Sequence, residues 1–185
     1  VPKDLATRRL ALFPVTTKVD TGQDGECLTI AGCHLDELAE RHGTPLYIYD
    51  EATLDTAVKD YRRALKRIFP GESSITYAGK AFLCLAMAQW VRRRHLHLDC
   101  SSAGEVGIAA AAGLPRESIV VHGVNKSQAD LAAALDAAGT IVVDNLSELR
   151  KLVALASQPA APLPALWLSI RPGLEVATHA HTQTG

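Results

Sequence analysis

The sequence predicts an α/β fold, a (β/α)8 barrel built on a parallel sheet, and three observations lead there. From residue 74 onward, four strand–helix units and a fifth strand follow one another, each unit taking about 20 to 27 residues. Three of the helix-like segments open on a cap residue with an acid three positions on: Ser102 with Glu105, Ser127 with Asp130, Asn145 with Glu148. Five successive strands end on polar or ionisable residues, Lys80, Asp99, His122, Asp144 and Arg171. In a barrel, the C-terminal strand ends converge on one mouth. Taken singly, each of the five also reads as a solvated turn residue.

The elements follow in order. Residues 26–32 read as a short strand ending at Gly32. Leu35, Leu38 and Ala39 are spaced for a short amphipathic helix that stops at Gly43. Residues 45–49 have strand composition. Asp50 is placed to cap a helix over 51–69, where Leu54, Val58, Tyr61 and Leu65 share one face and Pro70-Gly71 ends the run. Strands are then predicted over 74–79, 95–99, 118–122, 140–144 and 166–171. Helices are predicted over 82–94, 102–113, 127–138 and 146–157, and residues 158–164 form a proline-rich connector. Strands alternating with helices at this period imply right-handed crossovers and a parallel sheet. No G-x-G-x-x-G or G-x-x-x-x-G-K-[ST] loop is present, which disfavours a dinucleotide or nucleoside-triphosphate fold.

Composition narrows the function. The 185 residues are 48% apolar with a net charge of −1, enough for a core and without the basic excess of nucleic-acid or anionic-membrane binders. The one basic cluster, Arg92-Arg93-Arg94, stands at a predicted helix end, where it complements the helix dipole. Cys27 and Cys33 have no common metal or redox spacing, and Cys84 and Cys100 sit in apolar runs as small core residues. No run of 18 apolar residues suggests a membrane span, and no metal site is expected. A cytoplasmic, reducing setting is the expectation.

The chemistry centres on Lys80, in the run Tyr77-Ala-Gly-Lys-Ala81 with apolar residues on both sides. Partial desolvation there would favour the neutral, nucleophilic amine that condenses with an aldehyde. A lysine snorkelling from a strand-to-helix turn is the other reading of the same residue.

The motif resembles the cofactor-lysine segment of the fold-type III pyridoxal-phosphate decarboxylases. Four further segments resemble the diaminopimelate branch of that family in the same order: residues 43–50, 98–105, 121–127 and 142–149. A fifth, residues 178–185, is similar to its His-rich stretch. The resemblance implies an alanine-racemase-type barrel over residues 35–185 and an N-terminal contribution to a β domain over residues 1–34. It implies pyridoxal 5'-phosphate held covalently by Lys80, with Asp99, Arg171 and His179 around the cofactor, and removal of one carboxylate from meso-diaminopimelate to give L-lysine. His122, Asn125 and Lys126 match a turn expected to shape the barrel mouth. Glu105 is expected to act as a capping acid. A homodimer, a small-molecule amino-acid substrate and no nucleic-acid or membrane partner are implied as well. Ornithine, arginine or carboxynorspermidine decarboxylation stays open on the same residues, as does a non-catalytic barrel relative that acts through protein contacts.

Two departures stand out. Val124 replaces an asparagine usual in the 121–127 turn, and Gly79 stands where valine or serine is usual. Five or six barrel strands are legible where eight are needed. The expectation is therefore a piece of a longer chain or a clipped chain with the rest still bound, with a truncated product as the third reading, and in each case a fragment inactive without the remainder that would carry the phosphate loop and substrate-reading residues.

Overall fold

The computed structural model describes residues 10–22, 25–156, 162–170 and 173. Two compact units divide the chain, Val1–Ser73 and Ser74–Gly185. The boundary expected at residue 34 separates a sheet from two helices inside the first unit.

The first unit holds an antiparallel sheet of β1 (Lys18–Gly22), β2 (Gly25–Ile30) and β3 (Cys33–His34), in that order. The β2–β3 turn places Ala31 (φ 51°) and Gly32 (φ 78°) both in the left-handed region, the geometry of a two-residue primed hairpin turn. β1 carries one apolar side chain in five residues, too little alternation to be read from sequence. Thr29 is buried, and its hydroxyl donates to Asp20 Oδ2 at 3.2 Å, so the sheet's buried polar group is satisfied.

Helix α1 (Leu35–His42) ends at Gly43, whose φ of 79° suits glycine. Helix α2 (Glu51–Ile68) starts at Asp50, which accepts from Thr53 N at 3.2 Å and Thr53 Oγ1 at 2.6 Å. The segment 45–49 is not assigned as a strand, and Leu46, Tyr47, Ile48 and Tyr49 are exposed. Strand composition describes a side chain's fit to a pleated surface, and no strand among the described residues forms a ladder with this segment.

The second unit is a five-stranded parallel sheet in the order β4 (Thr76–Ala78), β5 (His97–Cys100), β6 (Ile119–Val121), β7 (Thr140–Val143), β8 (Ala165–Leu168). Between the strands run α3 (Leu85–Arg93), α4 (Ala103–Ala111), α5 (Gln128–Ala137) and α6 (Leu146–Leu155). This is the α/β, parallel architecture predicted, with element ends within a few residues. Each strand neighbours the next in sequence, as in a barrel wall.

One face of the sheet carries the core. Leu98, Cys100, Ile119, Val121 and Ile141 are at most 1% exposed, and Val91, Val106, Leu131 and Leu152 of the four helices are buried with them. Each such side chain contributes roughly 1.5–3 kcal/mol when fully buried. Ser102, Ser127 and Asn145 accept from the backbone N–H three residues on, as their spacing predicted. At Gly139, entering β7, a Cβ would lie 2.7 Å from Arg116 O and from Glu117 Cα, so only glycine lets the strand pass there. Among the described residues no helix is long and apolar enough to cross a membrane.

Candidate active site

In a strand, alternate side chains face opposite ways, so the face away from the core carries the intervening residues. They line a cleft of about 460 Å³: Thr76 and Ala78 from β4, Asp99 from β5, Val120 and His122 from β6 and its end, Val142 from β7, Trp167 and Ser169 from β8 and its end. That volume suits a small-molecule ligand.

Lys80 sits in a 3-10 turn, Gly79–Ala81, directly after β4. Two features fix this turn. Gly79 is buried, and a Cβ on it would meet Asp99 O at 2.8 Å and Glu105 Oε2 at 3.6 Å, so the turn lies against the backbone of β5. Tyr77, on the core side of β4, donates from its hydroxyl to Phe82 O at 2.8 Å and stands edge-on to Trp90 at 6.1 Å. The hydroxyl bridges the segment that carries Lys80. The turn also delays the helix: Phe82 (φ −176°) and Cys84 (φ −141°) stay extended, and α3 begins at Leu85 rather than at 82. Lys80 itself is exposed, where partial desolvation was predicted. Its apolar neighbours do not cover it: Ala78 faces the cleft, and Ala81 and Phe82 are themselves exposed.

Asp99 is half-buried, and its Oδ1 is shielded from water with no hydrogen-bond partner. Burial pushes its carboxyl above the ordinary carboxylate range; the positive charges of His122 and Lys80 act in the opposite direction, and Glu105 adds to the rise. Lys80, Asp99 and His122 thus form one electrostatic group at the C-terminal ends of β4, β5 and β6. Cys100, on the core face, is held as a thiol, its pKa pushed up to about 12 by burial with Glu105 and Asp99 adding, which removes it as a nucleophile.

Glu105 does more than cap. Its carboxylate accepts from Ser101 N at 2.6 Å and Ser101 Oγ at 3.0 Å, while its own N–H donates to Ser102 Oγ at 3.3 Å. Asp144 follows β7 but does not line the cleft, and its N–H donates to Glu148 Oε1 at 3.3 Å. Arg171 and His179 lie outside the described residues. The sequence reading passed over Trp167 and Ser169 on the cleft wall; counting alternate residues from the Asp99 face would have found them. It also gave Glu148 only a capping role, although the residue is buried. Among the described residues no group of three or more His, Cys, Asp or Glu side chains could hold a metal ion.

With this geometry in hand, comparison with known proteins is informative. Residues 52–185 match the family model described as the pyridoxal binding domain of pyridoxal-dependent decarboxylases. The chain is similar to diaminopimelate decarboxylase of Bacillus subtilis, 41% identical over 160 residues, covering 85% of this chain and 36% of that protein. It is similar to the enzyme of the same name from Synechocystis, 37% identical over 182 residues, covering 94% of this chain and 38% of that protein. Among solved structures, diaminopimelate decarboxylase from M. jannaschii in complex with L-lysine superimposes with a TM-score of 0.76 at 28% identity, covering 87% of this chain and 37% of that one. The chain therefore spans little more than a third of the length of the relatives it matches.

Proposed function

The chain belongs to the pyridoxal-dependent decarboxylases, and from that premise we propose that it supplies the cofactor-lysine wall of an enzyme that converts meso-diaminopimelate to L-lysine. The observation that carries the proposal is the juxtaposition of Lys80, on a turn fixed against β5, with a carboxylate whose buried oxygen has no partner. Supporting it are the matched relatives, whose names state this substrate, and a structural neighbour solved with L-lysine.

The residues present fit pyridoxal 5'-phosphate. The cleft has the size for it, Lys80 offers a primary amine on the turn that follows the cleft-lining strand β4, and Asp99 Oδ1 is an acceptor without a partner. Lys80 would hold the cofactor, with Asp99 and His122 beside it. When bound, the cofactor supplies an electron sink for the pair released as carbon dioxide leaves.

The chain's own residues then have definite tasks. Lys80 must lose a proton from Nζ before it can attack a carbonyl carbon, and Asp99 is the carboxylate whose charge acts on that amine. His122 acts on Asp99 against the rise that burial causes. Tyr77 and Gly79 hold the amine at a set height above the sheet. In the net reaction one carbon–carbon bond breaks, carbon dioxide departs, and one proton takes its place on the carbon.

We extend the proposal to Arg171 and His179 as further cofactor neighbours, to residues 1–34 as part of a β domain with 35–185 as the first part of the barrel, to a homodimer, and to a cytoplasmic setting. The three antiparallel strands of 18–34, separate from the parallel sheet, support the domain division. The test uses the protein at its full natural length. Incubation with pyridoxal phosphate and reduction with borohydride should leave a mass adduct on the peptide containing Lys80, and meso-diaminopimelate should yield lysine and carbon dioxide. An adduct elsewhere, or turnover of ornithine in preference to diaminopimelate, would overturn the assignment.

A further inference from the structure

Lys126 is the second lysine that follows a strand end, and its environment is the reverse of that around Lys80. Its side chain is 0% exposed and that of Glu148 is 4% exposed, with Nζ 2.9 Å from Glu148 Oε1. The same nitrogen donates to Gly123 O at 2.6 Å and to Val142 O at 2.9 Å. An ammonium has three protons to donate, and here it has three acceptors.

The position of those acceptors is informative. On β7 the carbonyl of Val143 accepts from Ser169 N beyond β8, so by strand alternation the carbonyl of Val142 points toward β6. But β6 pairs with β7 only at Val120↔Thr140 and Val121↔Ile141, and then leaves the sheet. The Lys126 ammonium takes up the carbonyl that the departing strand leaves open, and with its second bond ties down the first residue of the turn, Gly123. On the other side, His122 N donates to Cys100 O at 2.9 Å. The turn has little slack: a Cβ on Gly123 would be 3.2 Å from Ser101 O, and Asn125 is left-handed at φ 56°. Glu148 closes the frame, its N–H on Asn145 Oδ1 at 2.9 Å and its carboxylate on both Lys126 and Asp144 N.

Stability alone does not account for such a pair, since an apolar pair of similar volume usually stabilises a fold as well or better. We propose, on the basis of the function argued above, that Lys126 is a positioning residue: its buried ammonium straps the turn after β6 to the end of β7 and thereby sets His122 beside Asp99 at the mouth of the cleft.

The experiment separates the strap from the packing. In the full-length protein, Lys126→Met leaves the Glu148 carboxylate buried without its cation, and should lower Tm by roughly 10 °C. The double variant Lys126→Met with Glu148→Leu removes both charges and should recover Tm to within about 3 °C of wild type. It cannot recover the bonds to Gly123 O and Val142 O. The imidazole resonance of His122, assigned by its loss in His122→Gln, should therefore stay displaced in the folded double variant. The pyridoxal phosphate concentration that half-saturates borohydride trapping on Lys80 should rise on the order of tenfold. A double variant whose His122 resonance and half-saturation both match wild type overturns the proposal. A wild-type protein that forms no adduct on Lys80 sinks the functional reading instead, and the His122 resonance still decides the strap.

Discussion

Lys80 and Lys126 each stand just beyond a strand of the same sheet, two strands apart, and the fold treats them in opposite ways. Lys126 is wholly buried and spends all three protons on fixed acceptors. Lys80 is exposed, on a turn held by its neighbours rather than by its own amine. The difference shows what a reactive lysine requires. An ammonium saturated by a carboxylate and two carbonyls cannot become a nucleophile without unmaking the structure around it. An amine whose backbone is fixed by other residues is free to change protonation and partners. On the proposed function, the sheet therefore has one lysine that holds structure and one whose amine is left free to react.

The largest effect should come from removing the acting amine. Lys80→Ala is expected to abolish the borohydride-stable adduct and all decarboxylation, while moving Tm by no more than about 2 °C, because the side chain is exposed. Differential scanning fluorimetry and mass spectrometry of the reduced protein measure the two sides. A large fall in Tm would mean that Lys80, too, is a structural lysine, and the contrast with Lys126 would vanish.

Next in size is the support of the acting lysine. Gly79→Ala drives a Cβ to 2.8 Å from Asp99 O, a backbone atom that cannot swing aside. The turn must lift away from β5, at a cost of roughly 1–3 kcal/mol. Cofactor affinity should fall more than the stability loss alone explains. An alanine variant with wild-type Tm and cofactor uptake would mean that the turn can shift without consequence.

Asp99 gives a smaller effect with a definite sign. Burial raises its carboxyl above the ordinary value of 3.8, so over the interval between the two values the folded chain keeps a proton that the unfolded chain has released. Stability then falls as pH rises through that interval, and the cost persists at neutral pH. Asp99→Asn should raise Tm slightly at pH 7, with the gain disappearing below about pH 3.8, while adduct formation at Lys80 slows. Thermal melts across pH 3 to 8 read the sign directly. A variant less stable than wild type at pH 7 would show that the influence of His122 and Lys80 on Asp99 outweighs the burial.

How far the sequence carried this reading depended on whether a property is local. The strand–helix period, the cap pairs at Ser102, Ser127 and Asn145, and the polar residues Asp99 and His122 at the ends of β5 and β6 were legible because each rests on residues a few positions apart. The strand predicted over 45–49 failed because pairing needs a partner that composition does not name. The exposure of Lys80 and the burial of Lys126 were equally out of reach. Lys80 sits among apolar residues in sequence and is exposed, whereas Lys126 sits in a polar turn and is buried; what buries it is Glu148, 22 positions beyond, and the carbonyl of Val142. Trp167 and Ser169 were missed for a different reason, since alternation on β8 was visible but not followed round to the Asp99 face.

The smallest effect tests the outer end of the Lys126 turn. Immediately after it, Ser127 caps α5, and the Asp130 carboxylate accepts from Ser127 N at 2.9 Å, Ser127 Oγ at 2.6 Å and Ala103 N at 2.7 Å. The last bond reaches the first residue of α4, so one carboxylate serves the starts of two helices. The Ser127 hydroxyl first, and then the Ala103 and Ser127 N–H groups, hold the Asp130 carboxyl below the ordinary value of 3.8. A depressed value means that the unfolded chain takes up a proton first as pH falls. The contribution is therefore full above about pH 3.8 and is lost on descending from there through the lower folded value. Asp130→Asn should cost about 1 kcal/mol at pH 7, a Tm change of roughly 2–4 °C, and the two proteins should converge in strong acid. Because this carboxylate supports the helix behind the turn, hydrogen-bonds to neither lysine and feels Lys126 only as the smallest influence on its charge, trapping at Lys80 should be unchanged. If it weakens in step with Tm, the rigidity of the mouth comes from the whole β6–α5 segment, and the buried ammonium is only one of its fastenings.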